Sequence, residues 1–570
     1  MRSQDYNEAK IAFVSDLEGG SVTHINLVCA TAISTYAIHL VVRRRSLAKT
    51  DPESLKIPVA ECAILILPLL LALTVCSARP ILLNALLGIV ALLCARQGQP
   101  PSSPPLSPTL EKKPRPPVTG RDLARTLFAQ PFVTSYRAIM MVMTVLCILA
   151  VDFPAFPREF AKAETWGTSL MDLGVGSFVF SLGLVSALPL LRQALMLPPT
   201  GATVPSTGRD KAPLQPSTIG TILTSLRKSL PVIALGMVRV VMVKGVEYPE
   251  HVTEYGVHWN FFFTLALLPV LGAGLERVFF ARAIAIEDGE TRPVKLNMHA
   301  IGLGVAVGHQ VLLSLTPLQR WALTAERTSL LSQNKEGLVS LPGYLAVYLL
   351  GLATGLYTFP PSPTFFRTMT LRLSPSAAPD LLRQHELKRD KALGRKVGGG
   401  GGKTSSSAGG GGGGGAAGQR KKAEWLLSAA VWWWILYGLA TYGCGAQVSR
   451  RLANLTYVVW VAAFNTTFLG LYLCLHLVLA APITTGPSAA GLASSSEGKS
   501  AGSSAPAIFA AINQNGLVVF LAANLLTGLV NVSFETMYAS TTFALVILSG
   551  YAAAVVGVAW ALRKRRVKLG

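Results

Sequence analysis

The 570 residues predict an all-α, polytopic transmembrane helical bundle, and three observations carry that reading. Hydrophobic residues make up 51% of the chain and charged residues only 14%, against about 25% charged in soluble domains. The apolar residues gather in about thirteen stretches of roughly 17 to 25 residues, the length at which a helix crosses a hydrocarbon core with its backbone hydrogen bonds satisfied internally. The net charge of +22 comes mostly from Lys and Arg lying in the gaps between those stretches. No basic stripe interleaved with aromatics is present, so nucleic acid is not an expected partner.

In chain order the spans are expected near 22–42, 59–76, 80–95, 136–153, 173–191, 229–247, 258–276, 296–316, 339–359, 425–445, 454–480, 508–530 and 539–562. The first has no basic leader and no small-residue cleavage site, which argues against a removed signal peptide. The third is short, and the sixth contains Arg239 and Lys244. A short span cannot be told from a re-entrant helix by periodicity alone. Loops 43–58, 96–135, 192–228, 277–295, 360–424 and 481–507, with the tail 563–570, hold most of the 51 Lys and Arg. Positive loops stay cytoplasmic, so the N-terminus is expected in the lumen and the C-terminus in the cytoplasm. The whole of 1–570 reads as one transmembrane domain. The Pro-rich and Gly/Ser-rich segments 96–130, 360–424 and 481–507 read as flexible cytoplasmic linkers.

The seven cysteines all fall inside apolar runs, without a CxxC pair or a His at ligand spacing, so neither a disulfide framework nor a metal site is expected. Two motif fragments lie in the linkers. Gly402-Lys403-Thr404 resembles the end of a P-loop, but Val397 stands where the first Gly belongs and no strand precedes it. His385 and Asp390 have a His-x4-Asp spacing known from soluble acyltransferases, yet they sit in a solvated charge run.

The unusual polar segments converge on the lumenal ends of the spans. The densest, Ala150 to Asp172, joins the fourth and fifth. Asp152 closes an apolar helix, where an ionised carboxylate needs a partner. Lys162, ten residues on with two prolines between, is the expected one. Such a pair could take a proton from a hydroxyl and stabilise developing negative charge; it could equally be a helix-end ion pair that only fixes topology. A second cluster, Glu247 to Phe263, combines His251 and His258 with carboxylates and an aromatic belt, a natural surface for a hydroxyl-rich headgroup. The third, Asn513-Gln514-Asn515-Gly516, opens the twelfth span, with Asn524, Asn531 and Glu535 further along it. Amides there serve substrate binding or helix association alike. Asn454-Leu455-Thr456 and Asn531-Val532-Ser533 are glycosylation sequons close to the membrane.

Lys10-Ile11-Ala12-Phe13-Val14-Ser15 with Leu17-Glu18-Gly19-Gly20, the Asp152 to Gly176 stretch, His251 to Phe263, and Asn513-Gln514-Asn515-Gly516 through Leu525-Leu526-Thr527-Gly528 make up a set of four segments. Together they resemble the GPI inositol acyltransferases, the family of the fungal GPI-anchored wall transfer protein and its animal counterpart. The resemblance implies a multi-pass enzyme of the endoplasmic reticulum that moves a fatty acyl group, typically palmitoyl, from acyl-CoA to the inositol 2-hydroxyl of glucosaminyl-phosphatidylinositol. Its partners would be acyl-CoA, the glycolipid and membrane lipids, with acyl-CoA as co-substrate and no resident cofactor. On this reading Asp152 and Lys162 are the catalytic pair. Arg137, Arg158, Glu164, Asp172, His251, Glu254, His258, Asn260, Asn515 and Asn531 are the candidate substrate-binding residues, with His251 and His258 as alternative bases. Arg137 and Arg227 are expected near the CoA phosphates. A lipid or solute transporter, or a non-catalytic scaffold of a GPI-assembly complex, is the alternative.

Overall fold

The computed structural model describes residues 4–45, 54–96, 130–196, 218–245, 252–282, 298–360, 414–479 and 505–567. The long linkers, both motif fragments within them, and His251 lie outside these residues. Among those described the protein is helical, and its one extended pairing is an isolated bridge between Gly19 and Thr168. The α-helices of eight residues or more are α1 (Gln4–Val14), α2 (Val22–Arg45), α3 (Lys56–Leu73), α4 (Pro80–Arg96), α5 (Pro131–Ala150), α6 (Leu170–Met196), α7 (Thr218–Gly245) and α8 (Phe261–Arg282). They continue with α9 (Met298–Leu315), α10 (Lys335–Thr358), α11 (Gly414–Gly438), α12 (Leu455–Leu479), α13 (Ala507–Gln514), α14 (Gly516–Ser533) and α15 (Thr541–Ala561).

Eleven helices among the described residues are long and apolar enough to cross a membrane, and Pro80–Arg96 and Phe261–Leu275 are shorter apolar ones. The protein is therefore a multi-pass membrane protein. Each expected span corresponds to a helix, with one difference. The stretch expected as a single span at 508–530 is broken at Asn515 into α13 and α14. The amides that break it are turned outward to other elements: Asn513 donates to the Thr134 carbonyl at 2.6 Å, and Asn515 donates to the carbonyls of Leu562 at 3.1 Å and Arg565 at 2.8 Å.

The core sits around α10 and α12, whose apolar windows are each 78% buried. Helix α6 lies against α10 so closely that a Cβ on Gly183 would meet the Tyr348 carbonyl, and one on Gly351 the Phe180 carbonyl. Small residues are how membrane helices gain packing where no hydrophobic drive exists between them. The periphery is looser: only 11% of the α7 window and 17% of the α14 window are buried.

The helix ends separate into two groups held by their own hydrogen bonds. At one end Glu61 accepts the N–H groups of Ala507 and Ile508 at 2.9 and 2.8 Å, Gln130 donates to Phe359 at 3.0 Å, and Arg43 donates to Ala505 at 2.7 Å. These are the ends that lead into the basic loops. At the other end the Glu164 N–H donates to Leu17 at 2.8 Å, Gly167 to Val448 at 2.8 Å and Val257 to Gln333 at 2.9 Å. The acidic and polar segments are gathered there.

Candidate functional site

Residues 151–169 form a compact turn between α5 and α6. Proline at 154 and 157 cannot continue a helix, and the chain folds back around Arg158. Its guanidinium donates to the carbonyls of Val151 at 2.9 Å, Phe153 at 3.1 Å and Phe156 at 2.8 Å, and lies 4.0 Å from the Phe13 ring centroid. Arg158 is thus the internal brace of this loop and does not line the cavity described below.

The N-terminal segment docks on the loop through two glycines. Gly19 has φ +80° and Gly167 φ +128°, values that L side chains rarely adopt, and a Cβ at either would collide with the backbone of Thr168 or Glu18. The Gly20 N–H donates to the Thr168 carbonyl, and the Thr168 hydroxyl returns a bond to the Gly20 carbonyl, both at 2.6 Å. This contact carries α1 over the loop and places Lys10 beside Asp152. Lys10 Nζ lies 3.3 Å from Asp152 Oδ1, and both side chains are buried. Asn531 of α14 completes the cluster: its Nδ2 donates to Asp152 Oδ2 at 2.7 Å, and its Oδ1 accepts from Lys10 at 3.0 Å and from Thr536 at 3.2 Å.

The expected ion pair between Asp152 and Lys162 is therefore not formed. Each has another partner, supplied by elements remote in sequence. Lys162 Nζ lies 2.6 Å from Glu254 Oε1. Arg450 extends that pair into a network, with Nη1 3.4 Å from the same oxygen and Nε 2.6 Å from Asp172 Oδ1. Asp172 also accepts from the Ala163 N–H at 3.0 Å and the Ser169 hydroxyl at 2.8 Å. It pins the loop to Arg450 and does not itself line the cavity described below. Burial alone would raise the Glu254 carboxyl, but Lys162 and then Arg450 hold it down at about 2. Burial would likewise lower Arg450, whereas Glu254 and Asp172 hold it well above its ordinary value.

Asp152, Lys162 and Glu254 border one cavity of about 1200 Å³, together with Lys10, Glu164 and Asn531. It runs from this polar end between α5, α6, α7, α8 and α14 toward the opposite end. Its middle is apolar, with Met143, Thr144, Cys147, Phe178 and Phe520 on the wall, and Arg137 lies beyond them. Arg137 donates from Nε to the Ser181 hydroxyl at 3.2 Å.

The other expected ligands have local duties. Asn260 is on the cavity wall, but its amide donates to the Gly236 carbonyl at 2.9 Å and accepts the Phe262 N–H at 3.0 Å, so it starts α8 and ties it to α7. The His258 N–H donates to Asn334 at 2.9 Å, and neither His258 nor Asn515 borders the cavity. Asn515 anchors the tail at the opposite end. Arg227 is exposed on α7, off the cavity wall.

Sequence reasoning passed over Lys10 and Arg450. Lys10 stands inside the first of the four family-like segments, but the amide it donates to, Asn531, is 521 positions from it along the chain. Arg450-Arg451 had a usable signal, being a dibasic pair in a short loop on the side otherwise poor in positive charge. Both sequon asparagines are buried and committed. Asn454 Oδ1 accepts the N–H groups of Ser449 and Tyr457 at 3.1 Å, and its Nδ2 donates to Gln447 at 2.8 Å.

Comparison with known proteins agrees with the resemblance. A sequence model described as GWT1 matches residues 6–562. A relative from Aspergillus fumigatus named GPI-anchored wall transfer protein 1 is 38% identical over 574 residues, covering 99% of each chain. One of the same name from Gibberella zeae is 38% identical over 98% of this chain and 97% of its own. Another, from Cryptococcus neoformans var. grubii, is 40% identical over 77% of this chain and 63% of its own.

Proposed function

The chain belongs to the GWT1 family, and from that premise we propose that it acts in GPI-anchor biosynthesis, transferring a palmitoyl group from acyl-CoA to the inositol 2-hydroxyl of glucosaminyl-phosphatidylinositol. The observation that carries this reading is a cavity, apolar in its middle, with Asp152 and Lys162 at one end and Arg137 toward the other. A long acyl chain fits such a middle, and a reacting hydroxyl fits such an end. The polar end is assigned to the lumenal side of an endoplasmic-reticulum membrane and the acyl-CoA supply to the cytoplasm.

In this mechanism Asp152 takes the proton of the 2-hydroxyl as its oxygen attacks the thioester carbonyl. Lys10 and Asn531 orient the carboxylate. Proton transfer accompanies C–O bond formation. Lys162 spends one of its three N–H donors on Glu254, and the others supply the hydrogen bonds that stabilise the oxyanion. The C–S bond then breaks, and the proton held by Asp152 leaves with the thiolate as free CoA. Purified protein given labelled palmitoyl-CoA and the glycolipid should yield labelled lipid and one free thiol per turnover. Movement of the glycolipid across a liposome without consumption of acyl-CoA would overturn the reading in favour of a transporter.

A further inference from the structure

One cation on the cavity wall has no part in that chemistry. Helix α7 packs chiefly on α8, whereas α14 packs on α5 and α15, and no extensive packing joins α7 to α14. Both line the cavity, and both carry strongly exposed apolar side chains, among them Met237 and Val241 on α7 and Leu525 and Leu529 on α14. The cavity therefore opens sideways between them, in the direction of the hydrocarbon. Arg239 stands on this side, on the cavity wall and within the apolar span Ile219–Val241.

A guanidinium inside a span costs free energy unless something pairs with it. The other arginines near the cavity are engaged: Arg137 by Ser181, Arg158 by loop carbonyls, Arg450 by two carboxylates. Arg239 is exposed and makes no ion pair or hydrogen bond among the described residues. Glu254, the acid whose charge it reaches, is already held by Lys162 and Arg450. The planar fork of an arginine matches two oxygens of a phosphate.

We propose that Arg239 binds the phosphodiester of a phosphoinositide that enters from the membrane between α7 and α14. The lipid's diacylglycerol stays in the opening, and its inositol ring projects toward Asp152 and Lys162. In such a lipid the phosphate is borne on the ring carbon adjacent to the one carrying the 2-hydroxyl. Fixing the phosphate therefore fixes where that hydroxyl can lie. The identity of the lipid as an acyl acceptor rests on the function proposed above; the phosphodiester site does not.

The test uses the full chain in nanodiscs and three probes: dioctanoyl-phosphatidylinositol, dioctanoylglycerol, which lacks the phosphate, and palmitoyl-CoA, the other source of phosphate. Arg239→Gln should weaken binding of the phosphatidylinositol about tenfold or more, the loss of a charge-assisted, two-point contact. It should leave the other two probes unchanged, and Arg239→Lys should recover part of the loss. In turnover, the KM for the glycolipid should rise while that for palmitoyl-CoA holds. Equal phosphatidylinositol binding by wild type and Arg239→Gln overturns the proposal, as does a loss that falls on palmitoyl-CoA or equally on dioctanoylglycerol. Should wild type bind the phosphatidylinositol through Arg239 yet acylate nothing, the phosphodiester site stands and the acyltransferase reading falls.

Discussion

At the level of single residues, the polar end of the cavity is two charge clusters rather than one. Asp152 is held by Lys10 and Asn531, and Lys162 by Glu254, whose carboxylate Arg450 shares. Asp152→Asn and Lys162→Ala should each lower acyl transfer by about 10² or more without changing expression, consistent with losing a base or an oxyanion contact; near-normal turnover by both variants counts against the roles. Lys10→Met should lower kcat while leaving the KM for acyl-CoA in place, because it acts on the carboxylate and not on the donor. Glu254 allows a test with a definite sign. Its folded pKa, about 2, is below the unfolded value of about 4.3. The stabilisation is thus fully present above about pH 4.3 and is lost as pH falls from there toward 2. The melting-temperature advantage of wild type over Glu254→Gln should be constant above pH 5 and shrink on acidification. Asp152 was legible because a carboxylate at the end of an apolar run stands out. Lys10 was not, because nothing in a linear chain reports which distant cation will pack beside it.

At the level of elements, apolar run length located the helices well, since a rise of 1.5 Å per residue and a fixed hydrocarbon thickness leave little choice. The break at Asn515 escaped that reasoning. Hydropathy averages over the amides that turn outward to Thr134 and Leu562, so α13 and α14 read as one span. The docking of α1 was equally hidden, although its glycines were in plain view. Gly19→Val should detach the N-terminal segment, because the side chain would meet the Thr168 backbone. Thermal stability should drop and turnover fall with it, whereas Gly88→Val on α4, where a Cβ meets nothing within 4 Å, should change neither. Limited proteolysis between α1 and α2 would report the detachment directly.

For the whole molecule, the basic loops predicted a two-sided arrangement, and the hydrogen bonds group the helix ends into the same two sets. The cavity between them could not be read from the chain, because its wall is drawn from α5, α6, α7, α8 and α14 together. Thr144 lies on its apolar middle. Thr144→Trp should impair use of palmitoyl-CoA far more than of a short-chain acyl-CoA, as a plug in a channel would; equal effects on both would place the acyl chain elsewhere. The two buried sequons have a consequence for biogenesis. Asn454 and Asn531 spend their amides on the folded loops, so a molecule that has closed offers no acceptor to a glycosylating enzyme. Sugar at either position would mark chains caught before closure, and sensitivity to a glycosidase would then measure misfolded protein rather than the direction in which the chain was threaded.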